Sequence, residues 1–202
     1  MARKTTASRE GSAERETKET KISVDLNLDG KGEYTIDTGI GFFDHMLESF
    51  ARHGFFDLKL SCEGDLHVDG HHTVEDCGIV LGRAIDKALG NREGICRYGS
   101  FILPMDDALV LCAVDLCNRP YLSYEADFDC ERIGYLDTEL IREFFYALSY
   151  SALMNIHIKV LSGRNAHHIC EAMFKSFAKA LDIATGYDQR IESTLSTKGT
   201  LV

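Results

Sequence analysis

Two stretches of the chain, 96 positions apart, repeat one another without a gap. The first opens His71-His72-Thr73-Val74-Glu75 and ends at Gly90, and the second opens His167-His168-Ile169-Cys170-Glu171 and ends at Gly186. Identities fall at both histidines, at the glutamate, at Ala84/Ala180, Asp86/Asp182 and Ala88/Ala184, and at the closing glycine. Such a repeat calls for two copies of one structural unit. It also carries chemistry, because histidine and carboxylate are the side chains that bind transition metals.

With 202 residues the chain can bury one substantial core or two fused half-domains. The net charge of −10 argues against a broad nucleic-acid surface, so any anion site must be a local basic cluster. No apolar run is long enough to span a bilayer, and Met1 to Thr20 lacks the apolar centre of a signal peptide. The seven cysteines are scattered and contain no C-x-x-C pair. Together these features predict reduced thiols and a cytoplasmic protein.

Residues 1–18 read as a mobile N-terminal arm. Ile22, Val24, Leu26 and Leu28 alternate with polar residues and predict a strand. Asp29-Gly30-Lys31-Gly32 reads as a turn, with Tyr34 and Ile36 on a partner strand, which gives a hairpin. Phe43, Met46, Leu47 and Phe50 have helical spacing, and a strand follows from Phe56 to Cys62. The His71 segment then opens a helix that Gly90 caps. The second half repeats this plan, with strands near 98–104, 108–116 and 121–128, a helix near 138–152, a strand at 155–161 and the second His-His helix. The prediction is an α+β fold of two duplicated half-domains, 19–93 and 94–187. Each is a small mixed or antiparallel sheet packed on one face by helices, in the manner of a ribosomal protein S5 domain 2-like fold. A tail, 188–202, follows.

Neighbouring helical residues diverge by about 100 degrees, so His71 and His72 do not easily share one ion. Glu75 lies three residues after His72 and four after His71, within reach of either face. The economical reading gives each histidine of a pair to a different ion. His45, on the preceding helix, is a further candidate ligand, and Glu143 is its equivalent in the repeat. Mixed nitrogen and oxygen ligands suit Mn, Fe, Zn or Co better than Mg or Ca. A single His-His at a helix start is most often a polar cap; two matched copies favour ligation. Arg97, Arg119 and the tail segment Ser196-Thr197-Lys198 are each ordinary surface groups alone, but together they can clamp a phosphate. A metal-dependent hydrolase or a non-catalytic metal-assembled shell would keep the histidine repeat, yet neither needs that clamp. The absence of H-E-x-x-H counts against the protease version.

The chain resembles the imidazoleglycerol-phosphate dehydratase family. The resemblance is carried by Lys18-Glu19-Thr20, by the runs from Asp37 to Leu47, Gly64 to Asp69 and His71 to Asp76, by Asn165-Ala166-His167-His168 with Glu171, and by Ser196-Thr197-Lys198-Gly199. It implies two Mn²⁺ ions per active site. One would be held by His45, His72, Glu75 and His168, and the other by His71, Glu143, His167 and Glu171. Glu143 stands where some relatives carry histidine. It also implies sites shared between subunits, in trimers that build a twenty-four-subunit shell. The implied reaction, in histidine biosynthesis, removes water from imidazole glycerol phosphate to give imidazole acetol phosphate. Glu19, the matched carboxylate not used as a ligand, is the first acid/base candidate and would touch substrate, and Glu171 or Glu75 can also move a proton. Arg97, Arg119, Ser196, Thr197 and Lys198 would hold the phosphate, and the tail would close over the site.

Overall fold

In the computed structural model, which describes residues 8–201, the two halves share one order of elements. The first half runs β1 (Glu10–Glu16), β2 (Thr20–Asn27), β3 (Tyr34–Asp37), α1 (Gly41–Gly54), β4 (Asp57–Gly64) and α2 (His71–Leu89). The second runs β5 (Tyr98–Met105), β6 (Ala108–Asp115) and β7 (Tyr121–Glu125), then a small hairpin of β8 (Arg132–Ile133) and β9 (Leu136–Asp137). It closes with α3 (Glu139–Ser151), β10 (Asn155–Ser162) and α4 (Ala166–Thr185). The sheet orders are β1-β2-β4-β3 and β5-β6-β10-β7, which is the same topology twice.

Two expectations change. The arm expected over 1–18 is partly a strand, since Glu10–Glu16 pairs antiparallel with β2 along its whole length. Residues 1–7 of that arm lie outside the described residues. The expected hairpin between 21–28 and 34–36 does not form, because β3 pairs in parallel with β4 and not with β2. The cause is local: the Asp57 carboxylate, at the start of β4, accepts the backbone N–H groups of Lys31 (2.8 Å) and Glu33 (3.0 Å). That capture draws the turn over β4, and α1 then completes a β-α-β crossover.

Helices α1 and α2 cover one face of the first sheet, and α3 and α4 cover one face of the second. The helix layers then meet, α2 on α3 and α1 on α4, so four helices lie between two sheets. Six phenylalanines weld this layer. Phe50 stacks on Phe177 (5.5 Å), Phe144 on Phe174 (5.3 Å), and Phe43 and Phe145 meet Phe144 edge-on. All six are buried, each contributing about 1.5–3 kcal/mol. Glycine sets the closest approaches. A Cβ on Gly11 would stand 2.0 Å from the Ala84 carbonyl oxygen, and one on Gly99 would stand 1.9 Å from that of Ala180. The alanines matched in the sequence repeat therefore seat equivalent strand–helix contacts. All seven cysteines are free, and no helix among the described residues is long and apolar enough to cross a membrane.

Candidate metal centre and anion cleft

Both His-His segments form the first turn of a helix, and a side chain just ahead satisfies the open backbone N–H groups. Asp69 accepts from the His71 N–H at 2.8 Å. Asn165 accepts from His167 at 3.0 Å and from His168 at 3.3 Å. The rings of each pair point apart: His71 and His72 are 6.1 Å apart at 88°, and His167 and His168 are 6.0 Å apart at 81°.

Helix α1 lies along α4 in parallel. His53 and Lys179 meet at one level, where the Lys179 ammonium donates to the His53 carbonyl at 3.0 Å. At the other level His45 meets Glu171, with Nε2 and Oε2 3.9 Å apart. His167 Nε2 is 3.2 Å from the same Glu171 oxygen, one helical turn away. Asp44 fixes the start of α1 by accepting the backbone N–H (2.9 Å) and hydroxyl (2.5 Å) of Thr38. Glu171 is buried, and its second oxygen takes the Lys175 ammonium at 2.6 Å. Burial works to raise the Glu171 carboxyl, but Lys175 and the two imidazoles outweigh it and hold the group below the usual glutamate value. The ligand atoms of His45, His167 and Glu171 all lie within 4.8 Å of one another. Two ligands of one transition-metal ion stand at most about 4.4 Å apart, so the contacts at Glu171 fit an ion. The donor set, two imidazoles and one carboxylate, fits as well.

The remaining candidates lie apart from this group. His72 stands near Asp65 on its Nδ1 side (3.0 Å) and Glu19 on its Nε2 side (3.8 Å). The bond to Asp65 raises the His72 ring above the ordinary histidine value, against the effect of burial. Glu19 is held there because Thr20, next in the chain, donates its hydroxyl to the buried Asp76 of α2 at 2.5 Å. His168 is likewise flanked by Asp107 at Nδ1 (2.7 Å) and Asp106 at Nε2 (3.4 Å). Glu75 is half-buried on α2, and Glu143 on α3 pairs with Arg142 at 3.0 Å. Within one chain, then, His45 does not sit with His72, Glu75 and His168, the grouping expected from the resemblance; it sits with His167 and Glu171. The physical reason is that α1 packs along α4 rather than along α2.

Arg97, Arg119, Ser196, Thr197 and Lys198 do converge. They line one cleft of about 760 Å³ with Tyr98. Arg97 is buried and largely committed: it donates to Asp115 at 2.7 and 3.1 Å and to the Leu195 carbonyl at 2.7 Å. The Asp115 carboxylate raises its already high pKa. The tail expected over 188–202 docks on this segment, with Asp188 and Ser193 both bonded to Gly94. The cleft and the His167–His168 pair lie at opposite ends of α4. The Arg97 N–H bonds to the Ala184 carbonyl, whereas His168 is in the first turn; at 1.5 Å per residue that separation is about 24 Å.

Lys175, Asp65, Asp106, Asp107 and Asp115 were not assigned roles from sequence. Lys175 follows Glu171 by one helical turn, a spacing that could have revealed it. Asp107 reaches His168 from a turn 61 positions away, for which the sequence carries no signal.

Comparison with known proteins gives one consistent result. The family model described as imidazoleglycerol-phosphate dehydratase matches residues 38–181. The chain is 66% identical over 187 residues to the imidazoleglycerol-phosphate dehydratase of Lachnoclostridium phytofermentans, covering 93% of this chain and 95% of that one. It is 56% identical to the enzyme of Acetivibrio thermocellus, covering 93% and 96%. The crystal structure of the Staphylococcus aureus enzyme superimposes with a TM-score of 0.80 at 36% identity, covering 89% of this chain and 99% of that one. The Pyrococcus furiosus enzyme, solved in complex with (S)-C348, gives 0.80 at 41% identity, covering 93% and 99%.

Proposed function

The chain belongs to the imidazoleglycerol-phosphate dehydratase family of hydro-lyases, and from that premise we propose that it removes water from imidazole glycerol phosphate to give imidazole acetol phosphate, using two Mn²⁺ ions per active site. The observation that carries this reading is the convergence of His45 and His167 on one oxygen of Glu171, whose other oxygen is held by Lys175. His71, His72, Glu75, Glu143 and His168 complete the proposed ligand set. When bound to the substrate ring, the ions would supply positive charge that favours its deprotonated form.

The chain's own residues account for the rest. Glu19 is exposed and stands on the open side of His72, so it is the carboxylate placed to move a proton at the carbon next to the one that loses hydroxide. Glu171 has both oxygens engaged, which favours holding over proton transfer; Glu75 is the second proton-carrier candidate. Arg119, Ser196, Thr197 and Lys198 bind the phosphate in the cleft. Arg97 positions the tail through Leu195 and offers the phosphate its remaining N–H groups. The tail, already seated on Gly94, excludes water when substrate fills the cleft.

The separation of about 24 Å along α4 between cleft and histidines exceeds the length of such a substrate. A second copy of the chain therefore has to bring its histidine helices to this cleft, and we place the protein in a closed assembly of trimers amounting to twenty-four subunits. Seven free thiols suit a reducing cytoplasm.

The test is turnover of imidazole glycerol phosphate by chelator-stripped protein before and after Mn²⁺ is restored. Activity that returns only with the ion is the expected outcome. Bound Mn²⁺ with no water loss would overturn the assignment.

A further inference from the structure

We propose that Asp65 and Asp107 are positioning residues for the metal centre: each fixes the second histidine of a pair so that Nε2 faces the ion. This rests on the metal reading above. His72 presents Nδ1 to Asp65 at 3.0 and 3.2 Å, and His168 presents Nδ1 to Asp107 at 2.7 Å. A neutral imidazole carries one N–H, and an ionised carboxylate only accepts. A carboxylate at Nδ1 therefore places the proton there and leaves the lone pair on Nε2. It also locks the ring plane, as partners of ligating histidines do. In both halves Nε2 is left facing another carboxylate across a wider gap, Glu19 at 3.8 Å and Asp106 at 3.4 Å.

The two aspartates are not equivalent in the repeat. Asp65 follows β4, whereas Asp107 sits in the turn between β5 and β6. The turn that carries Asp107 matches the β1–β2 turn, since Gly99 of β5 and Gly11 of β1 make equivalent contacts, so the position matching Asp107 is Glu19 and not Asp65. The same contact is thus reached from unrelated loops, which ties it to a requirement of the histidine and not to inheritance with the fold. Asp107 is itself held in place, because its other oxygen accepts the backbone N–H groups of Arg164 (2.6 Å) and Asn165 (3.0 Å) at the entry to α4.

That difference makes the test specific. In Asp65→Asn the amide can turn its oxygen toward Nδ1–H and keep the ring as it is. In Asp107→Asn the single oxygen is claimed by the two backbone N–H groups, so the amide NH₂ faces Nδ1 and drives the proton to Nε2. Chelator-stripped full-length protein is titrated with Mn²⁺, and free ion is counted by its aqueous electron paramagnetic resonance signal. Thermal unfolding of the stripped protein is measured alongside. The expected result is Mn²⁺ affinity about 10- to 100-fold weaker in Asp65→Ala and Asp107→Asn, near wild type in Asp65→Asn, and unfolding little changed. Wild-type affinity in Asp65→Ala and Asp107→Asn, or equal loss in Asp65→Asn and Asp65→Ala, would overturn the proposal. If the wild-type protein itself leaves all Mn²⁺ free, the metal reading falls first and takes this inference with it.

Discussion

Arg97 and Arg119 line the same cleft, yet their guanidinium groups are in different situations. Arg97 is buried against Asp115 and ties down the tail through Leu195, so its removal would disturb structure as well as binding. Arg119 is exposed, and so is Lys198. These two are the clean probes. Each charge-assisted hydrogen bond to a phosphate is worth about 1.5–3 kcal/mol, so Arg119→Ala and Lys198→Ala should each lower kcat/KM about ten- to a hundredfold with Mn²⁺ content unchanged. Steady-state kinetics beside metal analysis checks this; unchanged kinetics in both would remove the cleft from the mechanism. At this scale the sequence was informative. His45, His167 and Glu171, which the fold brings together, were all legible as candidate ligands from residue type and repeat spacing. Asp65 and Asp107 were not, because a charged residue announces its partner only when that partner is a helical turn away, as Lys175 is from Glu171.

Strand β1 and the turn before β3 show why elements were harder to read. Glu10–Glu16 buries only Gly11 and Ala13 of its seven residues, so it has no apolar alternation to detect. Its place is set by close packing on α2, where Gly11 meets Ala84 as Gly99 of β5 meets Ala180 of α4. Gly11→Ala and Gly99→Ala should therefore each cost about 1–3 kcal/mol or more, or roughly 2–4 °C of Tm per kcal/mol. Gly41→Ala, with nothing within 4 Å of the added carbon, should leave Tm unlowered in the same calorimetric scan. The Asp29–Gly32 turn has the composition of a hairpin, but Asp57 captures its backbone. Burial works to raise the Asp57 carboxyl, while the N–H groups of Lys31 and Glu33 outweigh it and hold it below the usual value. A depressed carboxyl contributes stability that is fully present above its unfolded value, about 3.9. That contribution is lost as pH falls through the lower folded value. The Tm gap between the wild type and Asp57→Asn should accordingly be open at pH 7 and close as pH falls below about 4. A gap that is constant with pH would refute this role.

The whole molecule is two sheets with four helices between them, and it places the His167–His168 pair and the anion cleft at opposite ends of α4. Under the proposed function, each active site takes its cleft from one copy and its His167 helix from another. Co-expression of His167→Ala with Arg119→Ala/Lys198→Ala is the test. Each variant alone should be nearly inactive, while random mixing should restore about a quarter of wild-type sites. No recovery in verified mixed assemblies would mean that one chain supplies both parts.

By itself the sequence determined the family, the α+β class and the duplication, and it singled out the candidate metal and phosphate ligands. These depend on residue type and on spacing within one element, and both survive in a linear text. Only the tertiary structure decided that β3 runs parallel beside β4, that His45 meets Glu171, that Asp107 holds His168, and that the cleft and the His167–His168 pair lie at opposite ends of α4. Those facts depend on which elements pack together. That choice is made by the summed burial of the Phe43, Phe50, Phe144, Phe145, Phe174 and Phe177 layer and by single captures such as Asp57, over separations that no local pattern encodes.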